Sequence, residues 1–424
     1  MDDVVRWRLC LGCGVCTEAC RNGAIELVNV TADGIRPRVD AAKCAKCGDC
    51  VKVCPGIEIT HERVWDGTIP ELRLSWGPVL ELWEGHSTDP EVRFAGSSGG
   101  VVTALALFAL SADVAGAVLH TGSNADVPLE NIAVVSKCRA DLLRNAGSRY
   151  SPAALCAGLG QIGDASGRFL LVGKPCDIAA FQKYGVFNRR LQERVGLVIS
   201  IFCAGTPSTK GTLCILDRLG VSHDKVRQLR YRGYGWPGST TVMTNDPGQG
   251  IRQLSYEESW GGILSKHIQF RCRLCPDSTG EMADVSCGDP WYRSPEQGES
   301  GSSLIVVRTP KGREFLHRAI AENYVEARRL EPGALPDSQK ALLRRRRELF
   351  GRLVALRTMR LPAPCFTGFS LFANWRKLPI INRCRSVLGM ARRIIQRGWY
   401  RPQSLFDVRA DSSANPRTSA GRAG

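Results

Sequence analysis

A chain of 424 residues, 43% hydrophobic and 23% charged, has room for about three domains with their own cores. Its longest apolar run, Val101–Leu110, falls well short of the roughly 20 residues that span a bilayer, and Met1-Asp2-Asp3 opens no secretory signal. The net charge of +16 lies in Lys340–Gly424, where nineteen Lys/Arg meet three acids (Glu348, Asp407, Asp411), while residues 1–339 balance, so the body carries no nucleic-acid stripe and no nucleic-acid partner is expected. Eighteen cysteines in a chain expected to be cytoplasmic point to metal ligation rather than disulfides.

Residues 1–62 form the first expected domain. Cys10, Cys13, Cys16 and Cys20 have the spacing C-x2-C-x2-C-x3-C, and Cys44, Cys47, Cys50 and Cys54 repeat it, followed by Pro55. Three closely spaced thiolates can wrap one face of a [4Fe-4S] cube while the fourth of each run crosses to the other cube. The expected ligand sets are therefore Cys10, Cys13, Cys16 and Cys54 for one cube and Cys44, Cys47, Cys50 and Cys20 for the other. Structural zinc is the plainer alternative, but a third evenly spaced cysteine and the Cys-Pro are surplus for it. The segment resembles a bacterial two-cluster ferredoxin, departing from it in having Arg21 after Cys20. Ala24–Val30 and Ile35–Val39 around Thr31-Ala32-Asp33-Gly34 read as a hairpin.

Residues 63–92, with Trp65, Trp76 and Trp83, read as a linker. Residues 93–190 and 191–335 read as the two parts of an α/β domain with a mostly parallel sheet, giving an α+β protein overall. The domain opens on Gly96-Ser97-Ser98-Gly99-Gly100 ahead of Val101–Phe108, a buried helix whose N-terminus suits an anionic cofactor group or is an ordinary Ser-capped end. Strand-like runs follow at Val114–His120, Ile132–Ser136, Phe169–Gly173 and Val195–Phe202. Two of them deliver a cysteine just beyond their carboxyl ends, Cys176 and Cys203, where ligands sit in open α/β sheets and where a helix N-terminus stabilises a thiolate; inert buried thiols are the alternative reading. Arg230–Gly238 is either a hairpin corner or a cationic stacking platform for a flat cofactor. Cys272 and Cys275 are a C-x2-C pair needing two more thiolates, completed by Cys176 and Cys203, with Cys287 as substitute.

Ser97-Ser98-Gly99-Gly100, Gly147-Ser148-Arg149-Tyr150, Gly173-Lys174-Pro175-Cys176, Phe202-Cys203, Cys272/Cys275, Ala283–Ser286, Gly288-Asp289 and Leu304–Thr309 occur in that order. Together they resemble the deazaflavin-coenzyme (F-420) hydrogenase/dehydrogenase beta-subunit family, which also takes in 7-hydroxymethyl chlorophyll a reductase. The resemblance implies an iron–sulfur flavoprotein oxidoreductase: a third 4Fe-4S cluster on Cys176, Cys203, Cys272 and Cys275, FAD contacted by Ser97, Ser98, Gly99, Gly100, Ser148, Tyr150 and Asp289, and a two-electron substrate of unknown identity. A redox partner protein or reduced ferredoxin would supply electrons. The competing reading is a non-catalytic electron-transfer subunit of a larger complex. Among the six histidines only His120, at a strand end, is a candidate proton donor.

Residues 336–401 read as a basic helical extension. Leu342, Leu349, Leu353 and Leu356 make one stripe; Ile380, Cys384, Val387, Leu388, Ala391 and Ile395 make a second. Such helices either brace the body or touch an anionic membrane surface, here the inner membrane face. Residues 402–424 read as a disordered tail.

Overall fold

The computed structural model describes residues 1–61, 65–164, 167–245, 250–296 and 298–406. Its strands in chain order are β1 (Ile25–Val30), β2 (Gly34–Val39), β3 (Glu58–Thr60), β4 (Glu81–Ser87), β5 (Ala117–Ser123), β6 (Asn131–Ser136), β7 (Phe169–Gly173) and β8 (Val195–Ile201). They continue with β9 (Val226–Arg230), β10 (Thr240–Thr244), β11 (Ile251–Leu254), β12 (Val285–Gly288), β13 (Ser303–Val307), β14 (Val325–Arg329) and β15 (Cys365–Thr367).

Eight of these make one sheet in the order β14-β4-β13-β12-β8-β7-β5-β6. The centre, β12-β8-β7-β5, is parallel; β13, β4 and β14 on one side and β6 on the other pair antiparallel. Five of the eight strands (β4, β5, β7, β8, β12) thus point the same way. The α/β expectation therefore holds, with the parallel strands where the candidate ligand edge was sought. Side chains alternate between two cores, as the two-residue period of a strand requires. Val118, Leu170, Leu197 and Ile199 face the helices Val101–Ser111 and Pro310–Ala321. Leu119, Phe169, Leu171 and Val198 face the helix Pro175–Phe187 and, beyond it, Val15, Ala19, Val53 and Ile59 of the cysteine-rich domain. That domain packs directly on the sheet domain.

The β1–β2 hairpin forms with Val30 opposite Gly34. Residues 63–92 are not a mere linker: they hold the helix Pro70–Trp76 and β4, which lies inside the sheet between β13 and β14. Two buried acids disguise β4 in the sequence. Glu81 and Glu84 are 3% and 6% exposed, and the structure neutralises them with Arg313, Arg329, Arg293 and Arg328, with His317 hydrogen-bonded to Glu81 at 2.8 Å. These partners lie more than 200 residues away, so no local pattern announces the strand.

The extension stitches the domains together. β15 pairs parallel with β3 of the cysteine-rich domain. Leu349, Leu353 and Leu356 of the helix Lys340–Thr358 share a core with Val4, Val5, Leu9, Cys10 and Cys54. The first expected stripe is thus the buried one. In the helix Ile380–Gln396 the buried residues are instead Ser386, Met390 and Ile394, and Ile380, Cys384, Leu388 and Ile395 are exposed. That helix docks through the opposite side because Met390 and Ile394 fit against Leu349 and Leu353. Residues 402–406 are ordered: Gln403 N–H donates to Arg6 O at 2.8 Å and its side-chain amide to Asp33. The rest of the expected tail, 407–424, lies outside the described residues. No helix among the described residues is long and apolar enough to cross a membrane.

Candidate functional site

The eight N-terminal cysteines fall into two neighbourhoods. Cys16 lies within Coulomb reach of Cys10, Cys13 and Cys54, and Cys54 of Cys10 and Cys13; Cys50 lies within reach of Cys20, Cys44 and Cys47, and Cys16 also feels Cys50 across the boundary between the two. Cys54 thus lies beside the first run and Cys20 beside the second, the placement the crossed sets require, while Cys16 and Cys50 lie near each other between them. Cys10, Cys13, Cys16 and Cys54 line a small void of about 20 Å³ closed by Gly12, Gly14 and Pro55. Backbone N–H groups point at sulfur, Gly12 N to Cys10 Sγ and Ala24 N to Cys20 Sγ, both at 3.3 Å, which is how proteins stabilise cluster thiolates. Burial pushes the Cys54 thiol up to about 12 and raises Cys10, with Arg36 opposing at Cys10. The buried Cys156 lies against Cys13, its N–H donating to Cys13 O at 2.8 Å, and its thiol beside Cys13 holds that group's pKa down. Thiols so placed ionise when iron takes the proton's place. No three His, Cys, Asp or Glu side chains among the described residues converge on a single ion.

A third group lies at the junction of the domains. Cys176 has Cys203 and Cys272 within Coulomb reach, and Cys275 has Cys203 and Cys272. Burial raises all three shifted thiols, Cys203 to about 11 and Cys275 to about 12, and overrides the helix N-terminus at Cys176. Cys287, on β12, has only burial acting on it and stands apart from the group. Thr206 N–H donates to Cys272 Sγ at 3.4 Å. The loop after Cys275 is pinned by Asp277, whose carboxylate accepts from the N–H groups of Thr279, Gly280 and Glu281 at 2.7–3.0 Å. Lys174 stays cationic beside the group: burial works against its ammonium, but Asp177 at 2.7 Å together with Cys176 and Cys203 outweighs it and raises the pKa.

Arg271 joins this group to the first. It is 1% exposed and donates to Gly56 O at 3.0 Å, Pro55 O at 3.1 Å and Leu274 O at 2.8 Å. Its guanidinium lies within Coulomb reach of Cys54 on one side and Cys176, Cys272 and Cys275 on the other. The sequence reading passed over it. Its only signal is a place next to Cys272, and the carbonyls of Pro55 and Gly56 that explain it lie far back in the chain, in the cysteine-rich domain.

A cleft of about 300 Å³ opens beyond the carboxyl ends of the parallel strands, where α/β sheets bind ligands. Ser97, Ser98, Gly100, Ser148, Tyr150, Asp289, His120 and Cys203 line it. The helix Val101–Ser111 enters it with Gly100 as N-cap and no side-chain cap, so the first N–H groups of an eleven-residue helix are left for a ligand. Ser98 does not cap it; its hydroxyl donates to Ser302 O at 3.0 Å. Gly99 and Gly100 are demanded by the chain itself: both have φ near +70°, and a Cβ would meet Ser302 Cα at 2.6 Å or Val92 O at 2.4 Å. Asp289 is held by Arg232 at 2.7 Å and by Trp236 Nε1–H at 2.8 Å, and Arg232 also donates to Tyr150 and to Ser97 O. Arg232, 2% exposed, is thus the hub of the wall, and the Arg230–Gly238 stretch contributes a cation rather than a bare corner. Arg149 lines the cleft with its Nε buried and unpaired, and burial lowers its pKa to about 10. Tyr256, Trp260 and Trp291 supply flat walls. Tyr256 and Trp260 come from a segment with no motif, whereas Trp291 closes the stretch that carries Gly288-Asp289.

His120 is poorly equipped as a proton donor. Its Nδ1 is 3.2 Å from Thr121 O and its Nε2 2.8 Å from Ser136 Oγ. Burial lowers its pKa to about 4, so the ring is neutral with both nitrogens engaged.

Residues 9–56 match the family model described as "4Fe-4S dicluster domain". Residues 82–159 match the N-terminal model, and residues 166–333 the C-terminal model, of the family described as "Coenzyme F420 hydrogenase/dehydrogenase, beta subunit". The coenzyme F420 hydrogenase subunit beta of Methanothermobacter thermautotrophicus is 26% identical over 68% of this chain and 99% of its own length. The F420-dependent formate dehydrogenase 1 subunit beta of Methanococcus maripaludis is 22% identical over 60% and 63%. The coenzyme F420-dependent sulfite reductase of Methanocaldococcus jannaschii is 24% identical over 74% of this chain, which spans only 46% of that protein. A chain of the F420-reducing [NiFe] hydrogenase complex from Methanosarcina barkeri superposes with a TM-score of 0.49 at 22% identity, covering 65% of this chain and 94% of that one. The two matched halves of one family take in more than half of the residues, and the chain therefore belongs to the coenzyme F420 hydrogenase/dehydrogenase beta-subunit family, with a 4Fe-4S dicluster domain at its N-terminal end.

Proposed function

We propose that the chain is an iron–sulfur flavoprotein oxidoreductase with a third 4Fe-4S cluster on Cys176, Cys203, Cys272 and Cys275, FAD in the cleft, and a two-electron small-molecule substrate. When bound, such clusters carry single electrons and a flavin gathers two for the substrate. The observation that carries this reading is the continuity of cysteine groups from Cys54, across Arg271, to Cys203 in the cleft wall. The residues present suit both groups. Thr206 N–H supports the third thiol set. The uncapped helix end and Arg149 would hold the phosphates of FAD, Ser97, Ser148 and Tyr150 would orient it, and Asp289 would act through Arg232. Lys174 would balance thiolate charge beneath it. Electrons would come from a redox partner protein or reduced ferredoxin, and a cytoplasmic setting would keep the thiols reduced.

Protein purified and reconstituted without air should hold about twelve irons, three cubes of four, and one flavin per chain. Protein that holds about eight irons and never takes up flavin would overturn the proposal. The second reading, an electron-transfer subunit without chemistry of its own, is favoured by relatives named as subunits. It predicts full iron and flavin but no turnover of any small molecule until a partner is added.

A further inference from the structure

The helix Ile380–Gln396 is apolar on two sides. One side, Ser386, Met390 and Ile394, is buried. The other carries Ile381, Cys384, Leu388 and Ile395 at i, i+3, i+7 and i+14, a single stripe about 21 Å long at 1.5 Å per residue. Ile381 is 65% exposed, Leu388 68% and Ile395 61%, with Ile380 at 69% beside them. Exposed large aliphatics occur singly on most surfaces; a contiguous row marks an interaction site.

The surroundings of the row say what it meets. From Arg376 to Arg401 the chain has eight cations and no acid, and none of those cations forms an ion pair among the described residues. Arg385 and Arg392 are exposed and fall on the flank of the stripe, within one quarter-turn of Leu388. Phe372 and Tyr400, 52% and 42% exposed, lie beyond the two ends of the helix. Protein partners are selected by patches of both signs around an aromatic anchor, whereas this row is aliphatic, convex and bordered by one sign only. That is the pattern of a helix lying in the plane of a bilayer interface.

We infer that this helix docks the protein on an anionic lipid bilayer surface, with Ile381, Leu388 and Ile395 in the acyl boundary and Arg385 and Arg392 among the headgroups. The buried side of the helix shares its core with Val4, Val5, Cys10 and Cys54, so docking holds the dicluster domain at the membrane. The inference is independent of what occupies the cleft.

Sedimentation of the full chain with vesicles tests it. The protein should sediment with phosphatidylcholine–phosphatidylglycerol vesicles and stay in solution with phosphatidylcholine alone. Arg385→Glu with Arg392→Glu should weaken binding by at least about tenfold, since each cation contributes about 1 kcal/mol. Ile381→Asp with Leu388→Asp should abolish it. Both double variants should keep the iron content and unfolding midpoint of the parent, because every altered side chain is exposed. Binding that ignores vesicle charge, or that survives both double variants, overturns the inference. So does a parent dimer that Ile381→Asp with Leu388→Asp turns into monomer, which would make the stripe a seam between copies.

Discussion

The two N-terminal cysteine groups share a spacing and almost nothing else. In the inner one, Cys10, Cys13, Cys16 and Cys54 are 7–8% exposed and enclosed by Arg36, Cys156 and the core of the C-terminal extension. In the outer one Cys47 is exposed and Cys20, Cys44 and Cys50 are half-buried, ringed by the exposed cations Arg21, Lys43, Lys46 and Lys52. A local repeat fixes which thiols meet; residues hundreds of positions away fix what surrounds them. The difference sets a solvent-facing group bordered by cations against one enclosed by protein.

The largest test of that contrast removes one thiol from each side. Cys16→Ser empties the inner group and leaves a hydroxyl in a buried, apolar setting, at a cost of about 1–3 kcal/mol beyond the lost cluster. It should fail to give folded dicluster domain. Cys47→Ser, at the surface, should keep the fold and halve the domain's iron from about eight to about four. Equal damage from both, measured by iron content and unfolding midpoint, would erase the distinction between inner and outer.

Next in size is the junction at Arg271. Arg271→Met leaves the carbonyls of Pro55, Gly56 and Leu274 without donors, about 3 kcal/mol in all. The midpoint should fall accordingly, and reduction of the proposed third cluster by the N-terminal clusters should slow while the clusters' own spectra persist. Arg271→Lys, with a cation but no planar fork, should recover part of the stability and less of the rate. Unchanged transfer in Arg271→Met would mean that the guanidinium is structural glue only.

How much of this was readable beforehand follows the same division. The eight N-terminal cysteines and the edge carrying Cys176 and Cys203 were legible because spacing and strand ends are local. Arg271, the partners of Arg232 within its cationic stretch, and β4 were not. Each satisfies or is satisfied by groups far away in sequence: Pro55 and Gly56 for Arg271, Asp289 for Arg232, and Arg293 and Arg328 for Glu84. The helix Ile380–Gln396 failed differently, since both of its sides are apolar and periodicity alone cannot say which one is covered.

The last effect, spread over a pH window rather than present throughout, separates the buried from the exposed ionic contacts. Glu281, 2% exposed, pairs with Arg346 at 2.7 Å and has His61 Nε2 at 3.6 Å. Burial raises its pKa to about 7 against the pull of Arg346. A raised carboxyl is protonated in the folded state over a range where the unfolded chain has lost its proton. The folded state therefore binds more protons between about pH 4.5 and about pH 7, and stability falls as pH rises through that window, by about 3 kcal/mol in full. Below it the contribution vanishes; above it the whole penalty stands. Glu281→Gln keeps an acceptor for Arg346 and has no proton to lose, so its unfolding midpoint should be flatter across the window than the parent's. Asp49, on the outer rim, is half-buried and paired with the exposed Lys52 at 2.9 Å, where solvent screens the pair; Asp49→Asn should leave the profile as it was. A parent profile already flat across this range would show that Arg346 holds Glu281 ionised throughout, and that charge inside the junction is as well compensated as charge at the rim.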